Sequence, residues 1–385
     1  MLTSKWMAHN RGILPIGVDI GHSGVKMIQL AHMDEDMSVV SAGRVPLEPS
    51  ALGQEAQRRC RIVAAIKQLL AQGRFRGRKA VSVLAPEELQ ITSLRLTEAE
   101  SLQADKILRR EVAQRFNLNV DKDAVDYLLA GSIHQDDEVK NEFIVLAARG
   151  EVIESHVALL EEAGLELVAI DVGPCALFRS FERVLRREED RQRTVIFMDV
   201  GQRSTTVVFG RNGEICLAKQ MPFGTARFDE EIAAKLEVSA AEAESLRLRL
   251  QRDESMDACA RSLVTEALVA VAEQLAKELS LCLRYHTVTF RGKRVERAMI
   301  AGGGAYEKVL LDVLQRHLSI AVEPAEPLRG MSVQEVRGGD GLGVSSADLA
   351  LAIGVSLKGR CAGVPLPEPP ERKPEPEPVL EGEGL

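Results

Sequence analysis

The amino-acid sequence predicts an α/β protein made of a duplicated unit, with an α+β module inserted into the first copy. Three observations carry this. Ile16 to Leu30, IGVDIGHSGVKMIQL, has an apolar strand, an Asp-x-Gly turn and a second apolar strand. Val195 to Gly210, VIFMDVGQRSTTVVFG, repeats that order with its own aspartate at the same turn. Each stretch is followed by a third strand and then a helix, which implies two related halves with pseudo-twofold symmetry and their aspartates facing each other.

In the first copy the third strand is expected over Ser38 to Val45 and the helix over Gln54 to Leu70. Ile62, Ala65, Ile66 and Leu69 fall on one face of that helix, leaving Arg58, Arg59 and Lys67 to face water. A strand from Ala80 to Leu84 ends at Pro86. From Pro86 to about Leu167 the pattern changes. Thr97 and Glu100 form a capping box, ahead of Leu108, Val112 and Phe116 on one helical face. A short strand at Phe143 to Ala147 follows, then a helix from Glu151 to Ala163 stopped by Gly164, and a strand from Leu167 to Ile170. A helix from Pro174 to Leu185 runs into RREEDRQR, a mixed-sign block expected to be a solvated connector.

The second copy continues with a strand at Glu214 to Gln220 and a helix beginning near Arg227. Ala258 to Tyr285 is a long helix with Leu268, Val271, Leu275 and Leu279 on its core face. Arg297 to Leu314, RAMIAGGGAYEKVLLDVL, gives a strand, a triple-glycine turn and a helix. The ending PLPEPPERKPEPEPVLEGEGL is rich in proline and glutamate, a composition that does not pack a core. The expected division is therefore 1–15 lead, 16–85 first part of domain I, 86–167 inserted module, 168–194 return and connector, 195–358 domain II with a C-terminal return helix, and 359–385 disordered tail.

Composition narrows the class. A chain of 385 residues, 45% apolar, can bury two to four globular units. It has no run of 18 apolar residues, and MLTSKWMAHNRG lacks the basic-then-apolar build of a signal peptide, so a cytoplasmic protein is expected. The six cysteines show no C-x-x-C spacing, which favours neither a zinc site nor a disulfide framework. A formal charge of −8, part of it in the tail, argues against a nucleic-acid partner.

The paired turns point to a phosphate and metal clamp. Backbone N–H groups of the glycine-containing turns can hold phosphate oxygens, and Asp19 and Asp199 can hold a magnesium ion through water. Lys26, seven residues beyond Asp19, supplies a cation near the phosphates. Gly302, Gly303 and Gly304 let a flat or charged ligand approach the backbone at a helix N-terminus. The spacing is not G-x-G-x-x-G, which speaks against a Rossmann site.

VDIGHSGVK, then MDVGQRSTTVV with KQMPFGTARFDEEIA, then MIAGGGA resemble the phosphate-1, phosphate-2 and adenosine motifs of the actin-like ATPase superfamily. Within it the likeness is to the PilM family of type IV pilus assembly, supported by FIVLAARGEVIESHVALLEEAGLELVAIDVGPCALFRSF, VEPAEPLRGM and DLALAIGVSL, and it covers Ile16 to Lys358. The resemblance implies a duplicated actin-like (ribonuclease H-like) ATPase fold whose insertion is the movable 1C subdomain, with ATP and Mg2+ as cofactors. It places Asp19, Gly21, Ser23 and Lys26 in the first phosphate loop and Asp199, Gly201 and Thr205 in the second. Glu230 takes a ribose contact and Glu244 a second nucleoside contact, with Arg247 in place of a commoner lysine, and Gly302 to Gly304 form the adenosine loop. His22 stands where the family has a small residue. The resemblance further implies a partner, the short N-terminal cytoplasmic peptide of a PilN-like bitopic inner-membrane protein held in a groove beside 1C. Other pilus-assembly components would join, and membrane association would be indirect. An FtsA-like filament or division protein and a phosphotransferase of the same fold are the competing readings. The first should end in an amphipathic membrane helix and the second needs a separate catalytic aspartate, and neither stands out. With no glutamine or glutamate identifiable as a water-orienting group, ATP binding with slow or absent hydrolysis is expected.

Overall fold

The computed structural model describes residues 12–33, 36–47, 54–135, 138–182, 193–290, 294–333 and 345–359. The N-terminal lead up to residue 11, the tail from residue 360 and RREEDRQR apart from Arg193 lie outside them.

An antiparallel meander opens the chain: β1 (Ile16–Ile20), β2 (Gly24–Met33) and β3 (Asp36–Pro46). Val25 and Met27 of β2 pack into the core under α1 (Glu55–Gln72), whereas Ile28 and Leu30 pack into the core on the opposite side. Both faces are covered, which is why the strand reads as a near-continuous apolar run. Helix α1 buries Ile62, Ala65, Ile66 and Leu69 as its periodicity predicts. β4 (Lys79–Val83) then lies parallel to β1.

The insertion is a separate three-stranded antiparallel sheet, in the order β5-β7-β6. It comprises β5 (Gln90–Thr97), α2 (Glu98–Ser101), α3 (Ala104–Phe116), β6 (Ala124–Gln135) and β7 (Glu138–Ala148). The capping box forms, Glu100 N–H donating to Thr97 Oγ1 at 3.2 Å and Thr97 N–H to the Glu100 carboxylate at 2.8 Å. It heads only the single turn of α2, and the longer helix restarts at Ala104. β5 and β6 are additions to the expected pattern. In β5 only Thr92 and Leu96 are buried, too sparse an alternation to register as a strand. The strand expected at Phe143 to Ala147 extends to one arm of a long hairpin.

The chain returns through α4 (Gly150–Glu162), β8 (Glu166–Asp171) parallel to β4, and α5 (Gly173–Glu182). The second half has β9 (Thr194–Val200), β10 (Thr205–Arg211), β11 (Glu214–Met221), α6 (Ala226–Leu236), α7 (Ala240–Gln251), α8 (Ala258–Thr289), β12 (Val295–Ala301), α9 (Lys308–Leu318) and β13 (Ala321–Pro324). Its sheet order, β11-β10-β9-β12-β13, matches β3-β2-β1-β4-β8 strand for strand. β14 (Met331–Val333) extends the first sheet by pairing with β3, and a 3-10 turn (Ser346–Leu349) leads into α10 (Ala350–Lys358).

α10 thus closes the first half. α10 packs Ala352, Ile353 and Leu357 into the core with Ile28 and Leu30, and Ser356 Oγ donates to the Pro15 carbonyl at 2.8 Å. A Cβ on Gly354 would stand 1.8 Å from the Ala176 carbonyl oxygen of α5, so only glycine lets the two helices cross this closely. Arg179 and Lys358 both reach the buried Asp171 carboxylate, at 2.5 and 3.1 Å, tying α5, α10 and β8 together.

Candidate functional site

The two Asp-x-Gly turns are built alike. Gly21 N–H donates to the Gly24 carbonyl and Gly201 N–H to the Ser204 carbonyl, each at 3.0 Å. Those two amides close the turns. Among the described residues the N–H groups of His22, Ser23, Gln202 and Arg203 make no hydrogen bond within the protein. Successive free amides in a turn form a concave anion seat.

Asp19 lies opposite Lys26 in the β1–β2 register, and their side chains, only 7% and 12% exposed, meet at 3.2 Å. Lys26 is therefore an ion-pair partner of Asp19 as well as a cation in the cleft. Burial alone would push its ammonium down; the Asp19, Asp199 and Asp348 carboxylates outweigh that and raise it. Asp199 has Thr206 opposite it instead. Burial pushes the Asp199 carboxyl up to about 6, with Lys26 pulling it down and Asp19 and Asp348 pushing it further up. Three carboxylates and one ammonium thus share a single electrostatic cluster.

The third loop is pressed onto the second turn. Gly302 has φ +81°, and a Cβ there would sit 2.5 Å from Asp199 Oδ1, so any side chain would displace the carboxylate. Gly304 N–H donates to the Val200 carbonyl and Gly302 N–H to the Ala347 carbonyl, both at 3.0 Å. The latter bond fixes the 3-10 turn carrying Asp348, which accepts from Arg44 Nη1 at 3.4 Å.

The expected site residues therefore separate. Asp19, Lys26, Asp199 and Gly302 to Gly304 converge, with Gly21, Ser23 and Gly201 in the turns beside them. Ser23 Oγ accepts from Arg44 at 3.5 Å. Thr205 is buried, its hydroxyl donating to the Phe223 carbonyl at 2.7 Å, and so holds the turn between β11 and α6. Glu230 has a side chain 65% exposed, 3.8 Å from Arg227, and Glu244 is also exposed. The neighbours turned inward are Asp229 and Arg247, joined by a two-pronged pair at 2.6 and 3.2 Å. Glu307, next to the glycine loop, is buried 3.9 Å from Arg247; burial pushes its carboxyl up to about 7, against the pull of the guanidinium.

Three contributors escape the sequence patterns. Arg58, expected to face water, donates to the Gly21 carbonyl at 3.0 Å and the His22 carbonyl at 3.5 Å. Glu87, at the start of the insertion, meets His22 Nε2 at 2.8 Å. A cavity of about 350 Å³ opens there, lined among others by His22, Glu87, Arg203, Ser204 and Gln220. Asp348 is the third. Its signal is present, since it is the lone charge at the head of the apolar run DLALAIGVSL.

Two five-stranded repeats whose Asp-x-Gly turns face one cleft, backed by a glycine loop, define the α/β actin-like ATPase fold. The chain belongs to the family of type IV pilus assembly protein PilM, whose description matches residues 17–360. Among solved structures it is similar to the PilM-PilN type IV pilus biogenesis complex, at TM-score 0.74 and 22% identity, covering 90% of this chain and 98% of that one. It is also similar to the ethanolamine utilization protein EutJ of Carboxydothermus hydrogenoformans, at TM-score 0.51 and 14% identity, covering 90% and 89%. The cell division protein FtsA of Bacillus subtilis (strain 168) is 24% identical over 263 residues, 63% of this chain. The match spans 59% of that relative's length. Among the described residues no helix is long and apolar enough to cross a membrane. The family makes this an actin-like protein of pilus assembly.

Proposed function

We propose that the chain is an ATP-binding scaffold which holds the short N-terminal cytoplasmic segment of a PilN-like bitopic inner-membrane protein, with slow or absent ATP hydrolysis. The observation that carries the nucleotide half is the Asp19–Lys26–Asp199–Asp348 cluster set between two turns with free amides. Lys26 pairs with Asp19 and Arg44 with Asp348, which leaves the buried Asp199 carboxylate without an ion pair of its own beside Asp19 and suits a metal reached through water, while the four amides suit phosphate oxygens. Asp199 and Asp19 would hold the metal through water, the amides of His22, Ser23, Gln202 and Arg203 would hold the phosphates, and the glycine loop would take the nucleoside. ATP bound here would contact both halves at once.

The partner half rests on the insertion, which in this reading is the 1C subdomain. Leu102, Val120, Leu129 and Val139 of that module are 87%, 56%, 52% and 49% exposed, and β5 and β6 are the outer strands of its sheet. Exposed apolar side chains beside a strand edge suit an extended peptide, since backbone pairing gives affinity and pockets give choice. The PilM-PilN assembly of the similar structure supports the same partner class. The protein then sits at the cytoplasmic face of the inner membrane through that partner.

Calorimetric titration of Mg-ATP tests the site. Asp199→Asn should weaken binding at least tenfold, as should Asp19→Asn, with circular dichroism verifying that both variants remain folded. Unchanged affinity in both would refute the assignment. Fluorescence anisotropy with a labelled PilN-like N-terminal peptide tests the partner.

A further inference from the structure

A second charged feature lies at the far end of the first sheet. GRFRGRK, residues 73–79, links α1 to β4 and places Arg74, Arg76, Arg78 and Lys79 within six positions, in a chain of net charge −8. All four are exposed, as is Lys67 on the last turns of α1. Among the described residues none of the five makes an ion pair, whereas Arg44, Arg59, Arg95, Arg179 and Arg247 each hold a carboxylate.

The backbone under these cations is fixed from inside the sheet. Gln29, 1% exposed, accepts from Arg76 N–H at 2.7 Å and donates to the Arg76 and Leu14 carbonyls at 2.8 and 3.1 Å. Buried Ser41 accepts from Arg74 N–H at 3.0 Å. Two polar side chains inside a core are costly unless bonded, and here they bond to this loop. Between the ends of α1 and α4 is a pocket of about 200 Å³ lined by Lys67, Leu70, Ala71, Arg78, Ala163 and Gly164. Among the described residues, the exposed acids at the adjoining end of α4 and start of β8 are Glu161, Glu166 opposite Lys79, and Glu162, which Arg59 engages at 2.9 Å. β4 runs parallel to β1, so the patch lies about 15 Å, a strand length, from the end that carries Asp19.

We infer that this cationic edge is a docking surface for the anionic headgroups of a phospholipid bilayer, with a lipid phosphate entering the pocket between Lys67 and Arg78. A rigid row of unpaired cations with flexible tips matches a flat, mobile array of negative charge. The one aromatic residue of the loop, Phe75, is half-buried and packs against the core under α1, so the edge has cations but no row of exposed aromatic rings on which bases could stack. The proposed function brings the chain to the inner membrane through a partner; this edge adds a direct contact that needs neither nucleotide nor peptide.

The test is co-sedimentation of the full chain with vesicles, without ATP or PilN-like peptide. At low salt, binding should be strong on vesicles containing phosphatidylglycerol, weak on pure phosphatidylcholine, and lost at 0.5 M salt. The triple variant Arg74→Gln/Arg76→Gln/Arg78→Gln removes three exposed charges and none of the main-chain bonds to Gln29 and Ser41. It should bind phosphatidylglycerol vesicles about a hundredfold more weakly, with unchanged unfolding and unchanged Mg-ATP affinity. Equal binding to both vesicle types, or wild-type binding by the variant, overturns the inference. So does tighter binding of inorganic phosphate or an oligonucleotide with no vesicle binding. Neither failure touches the nucleotide or peptide reading, which the ATP and peptide titrations read separately.

Discussion

The two Asp-x-Gly turns share one backbone and differ in what holds them. Opposite Asp19 stands Lys26; opposite Asp199, at the same register position, stands Thr206. The carbonyls of Gly21 and His22 are capped by the Arg58 side chain, at 3.0 and 3.5 Å. The equivalent carbonyls of Gly201 and Gln202 are capped by the amides of Thr225 and Ala226 at the start of α6, both at 2.9 Å. The second turn is thus part of a helix N-terminus, while the first is held by two long cationic side chains. The duplicated unit has kept its geometry and divided its chemistry. Asp19 comes with a paired counter-ion; Asp199 feels the same Lys26 without an ion pair of its own.

Converting one turn towards the other tests this, and the largest effect belongs to Lys26. Lys26→Thr copies the second hairpin and leaves Asp19 buried without its cation, which should cost about 3–5 kcal/mol in urea unfolding. A near-neutral result would mean that the ion pair is not what distinguishes the halves. Next comes the buried Asp229–Arg247–Glu307 cluster of the second half. With its carboxyl raised to about 7, Glu307 holds a proton more tightly folded than unfolded. Its contribution therefore favours folding at low pH and is lost as pH rises from about 4.5 through 7. Glu307→Gln should accordingly be more stable than wild type at pH 8, by about 2 kcal/mol, and lose that advantage at pH 5. Thermal melts at the two pH values decide it.

Arg58→Ala should loosen the first turn alone, costing about 1 kcal/mol and weakening Mg-ATP several-fold; Arg58→Lys should recover part of both. The smallest effect is a pH profile. Because the Asp199 carboxyl is raised to about 6, it is mostly ionised at pH 7.5 and mostly neutral at 5.5, so Mg-ATP affinity should fall a few-fold between them. Asp199→Asn should remove the part of that slope which belongs to this turn. A slope unchanged in the variant would assign the titration to another group.

Much of this comparison was legible in the sequence because strands and tight turns announce themselves locally. Asp-x-Gly between apolar alternations located both hairpins, and the glycine triplet located the third loop. What escaped was set by distance or by small rotations. Asp348 meets a residue 304 positions away, a contact no local pattern encodes. Arg58 lies on the polar side of a well-patterned helix, and only the path of its long side chain shows that it reaches the first turn. On α6 the expected Glu230 faces solvent because Phe228 and Ile232 set the buried side, leaving Asp229 at its flank to meet Arg247. The strands β5 and β6 were hidden because too few of their own residues are buried for a period of two to emerge.

The position of α10 carries a consequence for biosynthesis. This helix covers the face of the first sheet that presents Ile28 and Leu30, and the turn before it brings Asp348 to Lys26. A ribosome delivers residues one after another, roughly 5–20 per second, so the opening strands wait on the order of tens of seconds for their cover to emerge. The second half, whose strands and helices are closer together in the chain, can close first and serve as the template. The cleft between the two Asp-x-Gly turns is therefore completed only once Asp348 and α10 have emerged.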